Sequence, residues 1–599
     1  MRAVVRSTLL AGMTGVLMVS VAWAGIGISP TPGAGSPTDL LAGASGTTTS
    51  ATDSTTAATP SSTSTAALGA GQVLVGAAKA SMAPRPADMA AGFPGARWET
   101  DPVKCTPTEP GWYDDIPSAA LMAADGIASA GSTWPENPDC IYMGGFGIGP
   151  QNPVSSFDKE LGLWVRSVAI SDGTTPFVMT VVDAEGWFWD YNKKCTDCGA
   201  KQISAALAAD PQLAALGAKP SSFILHATHS HSAPDFIGGW GFVPNWYMAQ
   251  ITDTIKATAK QALLTMEPAT LETGEIEARA FNNERRDTYR AAEEEQISWL
   301  RAVAVDNTTA APTAAAAAPA QTASAEPGNR NHDKKTSPSP DPSPSPTESG
   351  PPAPAPPRVI ATLGAYAAHP TTRGTNNGVA SSDWVGFFEK RLEDRFGGIG
   401  FHFMTGLGNM SASGGTGIGT KLADLIPPVG GGTRVTDTHM RVAQTTYQSA
   451  VTNVPLDALG TPGFFDRKFN PAPVVVNTGE EPTTAPCTSA SPQSVDIPIS
   501  VVKIGSQIVL TTGGGEEFSN LTNTIKEKNA GKVTFPLAQV NDALGYMPQS
   551  FELNPVGQQG LGFVAGGYLF VNYEDSYAID KCVGDGMLET TLALLNSTN

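Results

Sequence analysis

The sequence predicts a mixed α/β (α+β) fold, a large single domain with β-sheets flanked by helices. Three observations carry this. Short β-branched runs bounded by glycine turns recur from about residue 140 onward. Alanine- and leucine-rich stretches with helical apolar spacing lie between them. The Pro/Ser/Thr/Ala-rich tracts are confined to two blocks, one near the N-terminus and one inside a connection.

Taken in order, the chain begins with Arg2 and Arg6 ahead of an apolar run that ends at Ala22-Trp-Ala24. A basic start, an apolar run and a small-x-small site mark residues 1–24 as a signal peptide. An uncleaved anchor is the alternative, since the apolar stretch continues to Ile28. The expected location is secreted or cell-surface. Residues 25–71 carry almost no large apolar side chains and read as a disordered stalk. Residues 72–599 form the folded domain, interrupted by a disordered Pro/Ala/Ser-rich insertion at 308–357. The flanks of that insertion, Ser298–Val305 and Arg358–His369, look like strands that pair, so it is read as a loop and not as a domain boundary.

The net charge of −19 (37 Lys and Arg against 56 Asp and Glu) argues against nucleic acid as a partner, because phosphate binding needs a basic surface. No protein partner is implied. Six cysteines behind an export signal suggest disulfides, and Cys195-Thr-Asp-Cys198 reads as a local one.

The first strand is expected from Gln72. Residues 164–170 and 176–183 flank Ser171-Asp-Gly-Thr-Thr, a hairpin signal. Residues 203–216 and 246–266 read as helices, the second ending before Pro268. Residues 400–404 and 495–510 read as strands, and 518–528 as a helix opened by Gly513-Gly-Gly-Glu-Glu.

Chemistry concentrates in His226-Ala-Thr-His-Ser-His-Ser-Ala-Pro-Asp235, which holds three of the seven histidines. If the preceding strand continues, His229 and His231 point to one face. His369 lies where a strand meets a loop and is a second candidate nitrogen ligand. Glu516 and Glu517 are either helix-capping carboxylates or a metal ligand. Ser411 sits in a glycine-rich turn without the Gly-x-Ser-x-Gly elbow. His226, His402 and His439 are read as structural, and His332 falls in the insertion.

These blocks together resemble the neutral/alkaline (non-lysosomal) ceramidases. Ala227-Thr-His-Ser-His-Ser-Ala-Pro234 resembles their Gly-Thr-His-Thr-His-Ser-Gly-Pro motif. In the same order, Val75–Pro84, Asn283–Tyr289, Ala368-His-Pro-Thr-Thr372, Gly408-Asn-Met-Ser-Ala412, Gly515-Glu516 and Leu544-Gly-Tyr-Met-Pro548 resemble further family segments. The resemblance implies a ceramidase-like catalytic domain: a Zn2+-dependent hydrolase that cleaves the N-acyl (amide) bond of a ceramide-like lipid with metal-activated water, at a membrane surface. It implies His229, His369, Glu516 and Tyr546 as zinc ligands. It places His231 as a proton-handling group and Ser411 as nucleophile or substrate contact.

The sequence departs from the pattern at Asn409, where the family has aspartate, and at Gly514, where it has proline. A late family tyrosine has no clear counterpart, Gln558 being near its place, and no C-terminal immunoglobulin-like domain is apparent. Two alternatives therefore accompany the amidase reading. One is a metal-dependent hydrolase of another amide, an ester or a phosphoester; as a phosphoesterase it would use Asp183, Asp235 and Asp383 as added oxygen ligands for two metals. The other is a non-catalytic envelope protein with a decayed site.

Overall fold

Alternating apolar residues build the first sheet. In the hairpin β2 (Trp164–Ser171) and β3 (Pro176–Val182), Val165 and Ala169 face one core while Val168 and Ile170 face another, the period-two pattern of a strand buried on both sides. The computed structural model describes residues 68–89, 92–105, 137–145, 152–286, 293–305, 357–374, 378–453, 466–479, 486–553 and 573–598. All of these fall in the compact unit Ala66–Asn599. The expected signal peptide, most of the stalk, all but the last residue of the insertion, His332 and Gln558 lie outside the described residues.

The other strands of the large sheet are β1 (Val73–Ser81), β4 (Phe223–Ala227), β5 (Glu267–Glu277), β6 (Gln296–Ala304), β7 (Val359–Tyr366) and β8 (Ile399–Met404). Their order is β8-β7-β6-β5-β1-β2-β3-β4, with Thr433–Arg434 added on β5. Most neighbours are antiparallel. The pairs β3–β4 and β7–β8 are parallel. Each parallel pair is joined through a helix, α1 (Ala200–Ala209) and α3 (Asp383–Phe396) respectively, as a parallel crossover requires. The strands that flank the insertion, β6 and β7, do pair antiparallel.

A second sheet runs β9-β10-β11-β12, from Met440–Ala450, Ser494–Ile504, Ile508–Thr512 and Val533–Leu537. Inner faces of the two sheets share one apolar core that includes Phe177, Phe401, Phe403, Val502, Leu510 and Phe535. Helix α2 (Asn245–Leu264) covers the outer face of β1, β2 and β3. Helices α3 and α4 (Gly417–Leu425) cover the other half of the large sheet. Helices α5 (Ser519–Lys528) and α6 (Val583–Ser597) cover the second. The result is a helix–sheet–sheet–helix sandwich, the expected α+β class.

Three local expectations are corrected. The helix expected over 203–216 is broken, because Pro211 drives Asp210 to an extended backbone and the Asp210 carboxylate caps a separate turn, Pro211–Ala214. Pro268 does not merely end a helix; it lies in β5, just inside its first residue. The Glu516–Glu517 pair precedes α5, which begins at Ser519, and forms a two-residue strand paired with Tyr546–Met547.

The edges of the large sheet are tied together. The Met404 amide of edge strand β8 donates to His226 Nε2 of edge strand β4 at 2.9 Å. The segment after β12 fills the seam: Ala538 donates to Met404 O, Ala227 to Gln539 O, and Asn541 to Leu225 O. Asn541 Oδ1 also accepts from Leu225 N. Gln539 and Asn541 adopt positive φ (53° and 63°) to make these turns. Burial, with smaller contributions from His402 and His229, holds His226 well below the ordinary imidazole pKa, so it is neutral and can accept. His402, buried between Trp384 and Phe388, is pulled down to about 3 by burial alone.

His226→Ala removes the acceptor of a buried amide and opens a cavity, and it is expected to cost about 2–4 kcal/mol in urea unfolding. In the wild type, both imidazoles have folded pKa values below the unfolded one of about 6.5. The unfolded chain then binds more protons, so stability is lost as pH falls below about 6.5. The slope from these two groups reaches about 2.7 kcal/mol per pH unit. A flat urea midpoint between pH 7 and 5 would contradict this.

Candidate metal centre

Four strand ends supply the centre. Strand β4 stops at Ala227, and His229 takes φ +57°, a rare conformation for a side chain larger than glycine. The expectation that a continuing strand puts His229 and His231 on one face is therefore wrong. A turn brings them together instead, with ring centroids 5.2 Å apart. The His229 amide donates to Ala184 O, just past β3, which fixes the turn.

His229 Nδ1 lies 2.8 Å from Glu185 O, and a carbonyl can only accept, so this nitrogen carries hydrogen. His369, three residues past β7, likewise sets Nδ1 at 3.2 Å from Met410 O. Both rings thus present Nε2 inward. The two Nε2 atoms converge on one oxygen, Glu516 Oε2, at 3.5 Å (His229) and 2.9 Å (His369). Two donors about 2.1 Å from a tetrahedral zinc sit about 3.4 Å apart, so the spacing suits a metal between them. A carbonyl behind the outer nitrogen is also the usual support of a ligating histidine. His231 completes a buried group in which one ligand atom from each of His229, His231 and His369 lies within 4.8 Å of the others.

Glu516 reaches this point because its backbone is drawn inward. A Cβ on Gly515 would sit 2.5 Å from Gly545 O, so only glycine permits the approach that pairs Glu516 with Tyr546. Strand alternation turns Glu517 the other way, where a Cβ on Gly513 would meet its Oε1. Burial pushes Glu517 up to about 8, with help from Glu294. Of the two glutamates, Glu516 is the one beside the histidines.

No family model matches this sequence, and no curated protein matches it in sequence. The fold has solved counterparts. Neutral ceramidase from Pseudomonas aeruginosa aligns with a TM-score of 0.50 at 13% identity, over 88% of this chain and 74% of that chain. A ceramidase complexed with C2 aligns at 0.49 and 13%, over 87% and 74%. This chain shares the neutral ceramidase fold.

Of the residues singled out from sequence, His229, His231, His369 and Glu516 come together. Tyr546 lies beside them, its ring 6.3 Å from that of His369 and its hydroxyl accepting from Arg285 Nη2 at 3.1 Å. Ser411 is joined to His369 by a parallel bridge. Asn409 is occupied elsewhere, trading hydrogen bonds with Ser519 at the start of α5.

The three aspartates weighed as further metal ligands are engaged by the protein. Asp183 accepts from Trp164 N and pairs with Arg166. Asp235 accepts from the amides of Ile237, Gly238, Trp240 and Phe242. Asp383 accepts from Thr372, Arg373 and Trp384. Sequence reasoning missed Arg285, which links Tyr546, Gly408 O and Glu574. It also missed Glu185, whose Oε1 lies 3.5 Å from His231 Nε2. The signal for Glu185 was an acid just past the strand that pairs with the histidine strand; Asp183 drew the attention instead.

The charges are coupled. Burial pulls His229 down, but Glu516 and Glu185 outweigh it and lift it to about 9. Burial pushes Glu516 up, but His229 and His369 hold it well below the ordinary carboxylate value. Burial and then Arg285 pull His369 down to about 4. Burial, then His229 and His369, keep His231 well below its ordinary value. A metal must therefore displace the proton of His229. Zinc uptake at pH 7 is expected to release at least one proton, with affinity rising at least about tenfold per pH unit until near pH 9. Titration calorimetry in buffers of different ionisation heat measures that number; a value near zero would contradict it.

Proposed function

We propose that this chain is a zinc-dependent hydrolase that cleaves the N-acyl amide bond of a ceramide-like lipid. The observation that carries the reading is the convergence of two carbonyl-anchored imidazoles on one Glu516 oxygen. The shared fold with neutral ceramidase supports the substrate class.

His229, His369 and Glu516 would hold the metal, with Tyr546 as the fourth donor. Arg285 donates to the Tyr546 hydroxyl oxygen, which favours the ionised phenol that a cation prefers. Bound zinc supplies a Lewis acid for the carbonyl and lowers the pKa of its water to about 7. His231 is neutral and therefore able to accept a proton. Amide hydrolysis forms a C–O bond, breaks the C–N bond and moves a proton from water to the departing amine; His231 carries that proton. Ser411, whose backbone bridges to that of His369, would serve as nucleophile or substrate contact.

The expected setting is outside the cytoplasm. The disulfides Cys105–Cys140, Cys195–Cys198 and Cys487–Cys582 agree with it. No described helix is long and apolar enough to cross a membrane. The lipid substrate would be met at a membrane surface.

Metal content and N-acyl-sphingosine hydrolysis, measured on wild type and His229→Ala, test the reading together. The wild type is expected to hold one zinc per chain and turn over. His229→Ala is expected to lose zinc and at least about 1,000-fold in kcat/KM, about 4 kcal/mol of transition-state stabilisation. A wild type without zinc removes the mechanism; zinc without ceramide cleavage removes the substrate assignment alone.

A further inference from the structure

Two of the three disulfides are shut inside the fold and one is not. Cys105 and Cys140 are 2% and 0% exposed, and Cys487 and Cys582 are 7% and 0%. Cys198 is buried at 1%, but its partner Cys195 is partly exposed. The loops they close differ as well. The buried pairs are 35 and 95 positions apart in the chain, whereas Cys195 and Cys198 are 3 apart. A disulfide constrains the unfolded chain by an amount that grows with the logarithm of loop length, so the short one contributes least to the fold. Other bonds hold its segment. The amides of Lys193 and Lys194 donate to the Asp466 carboxylate, and Asn192 N donates to Asp466 O. Trp187 Nε1 donates to Cys198 O at 2.8 Å. Ala200 N and Lys201 N, at the start of α1, donate to Phe188 O and Trp189 O. Both ends of the segment are therefore tied down without the S–S bond.

We propose that Cys195–Cys198 is a reversible thiol-exchange site that takes small thiols, with Cys195 as the sulfur that carries the adduct. Exposed disulfides are the labile ones, while a buried pair reacts only when the fold around it opens. An incoming thiolate attacks Cys195 Sγ and forms a new S–S bond there. The Cys195–Cys198 bond breaks, and its electron pair leaves on Cys198 Sγ, which takes a proton from water. Attack by the Cys198 thiolate on Cys195 reverses the step and releases the thiol. Attack by a second small thiol on the adduct instead leaves both cysteines reduced and carries the thiol away as its own disulfide. Cys198 suits the leaving and resolving role. It is shielded from solvent, and it directly precedes Gly199, the N-cap of α1, where the helix dipole favours a thiolate. The site stands apart from the zinc reading and needs no metal.

The test uses the full oxidised chain and glutathione as the probe thiol. Samples taken over time are quenched with acid, alkylated and mapped by peptide mass spectrometry. Cys195–Cys198 is expected to open at least about 10-fold faster than either of the other pairs. Two variants then separate the sulfurs. Cys198→Ser, which has no resolving thiol, is expected to take up oxidised glutathione and keep one adduct on Cys195. Cys195→Ser leaves the buried Cys198 thiol, which is expected to react at least about 10-fold more slowly. Opening of all three pairs at one rate, or later opening of Cys195–Cys198 than of the others, overturns the proposal; this readout needs only the wild type. A Cys198 that reacts as fast as Cys195 overturns the assignment of the adduct to Cys195.

Discussion

The hydrogen bond from Met404 N to His226 Nε2 joins the two edges of the large sheet, and the site depends on that closure. Histidines 229 and 231 follow one edge strand, while His369 follows the neighbour of the other. In an open twisted sheet such ends would stand several strand widths apart, at about 4.8 Å per strand. Closure brings the two ends of the strand order face to face. The seam segment 538–541 pairs with both edges and continues to Tyr546, so the segment that pins the sheet also leads into the site. Fold and site are thus set by the same few bonds.

Orientation within the site comes from backbone carbonyls. Glu185 O and Met410 O each take the Nδ1 hydrogen of a histidine, which decides which nitrogen faces inward. The positive φ of His229 is local strain, and the hydrogen bond of its amide to Ala184 O holds it in place. Because these supports are main-chain groups, side-chain substitutions around the site can change its electrostatics without releasing the imidazoles.

Much of this was legible in the sequence, and what was not has a physical cause. The hairpin at 164–182, the strands around the insertion and the helix at 519–528 follow from local periodicity and turn chemistry. The grouping of His229, His369 and Glu516 came from the order of motif blocks, because nothing local connects residues so far apart. The turn at His229 was misread, since period-two logic assumes a strand and the strand had already ended. Arg285 and Glu185 went unseen for a related reason. Each is an ordinary charged residue in its local context and becomes distinctive only through burial and through what closure places beside it. His226 shows the converse: it stood within the richest motif of the chain, yet its work is to join strands.

The centre also reverses the usual relation between a site and its fold. Without a cation, His229 carries the proton that balances Glu516, and Glu185 has no comparable partner. That buried carboxyl subtracts from stability, which for proteins of this kind is only about 5–15 kcal/mol in total. A cation that binds the folded state alone returns that stability through linkage, by about 1.4 kcal/mol for each tenfold excess of free metal over its Kd. Since the donors come from opposite edges of a closed sheet, only the folded chain presents them together. The metal would therefore stabilise the same closure that creates its site.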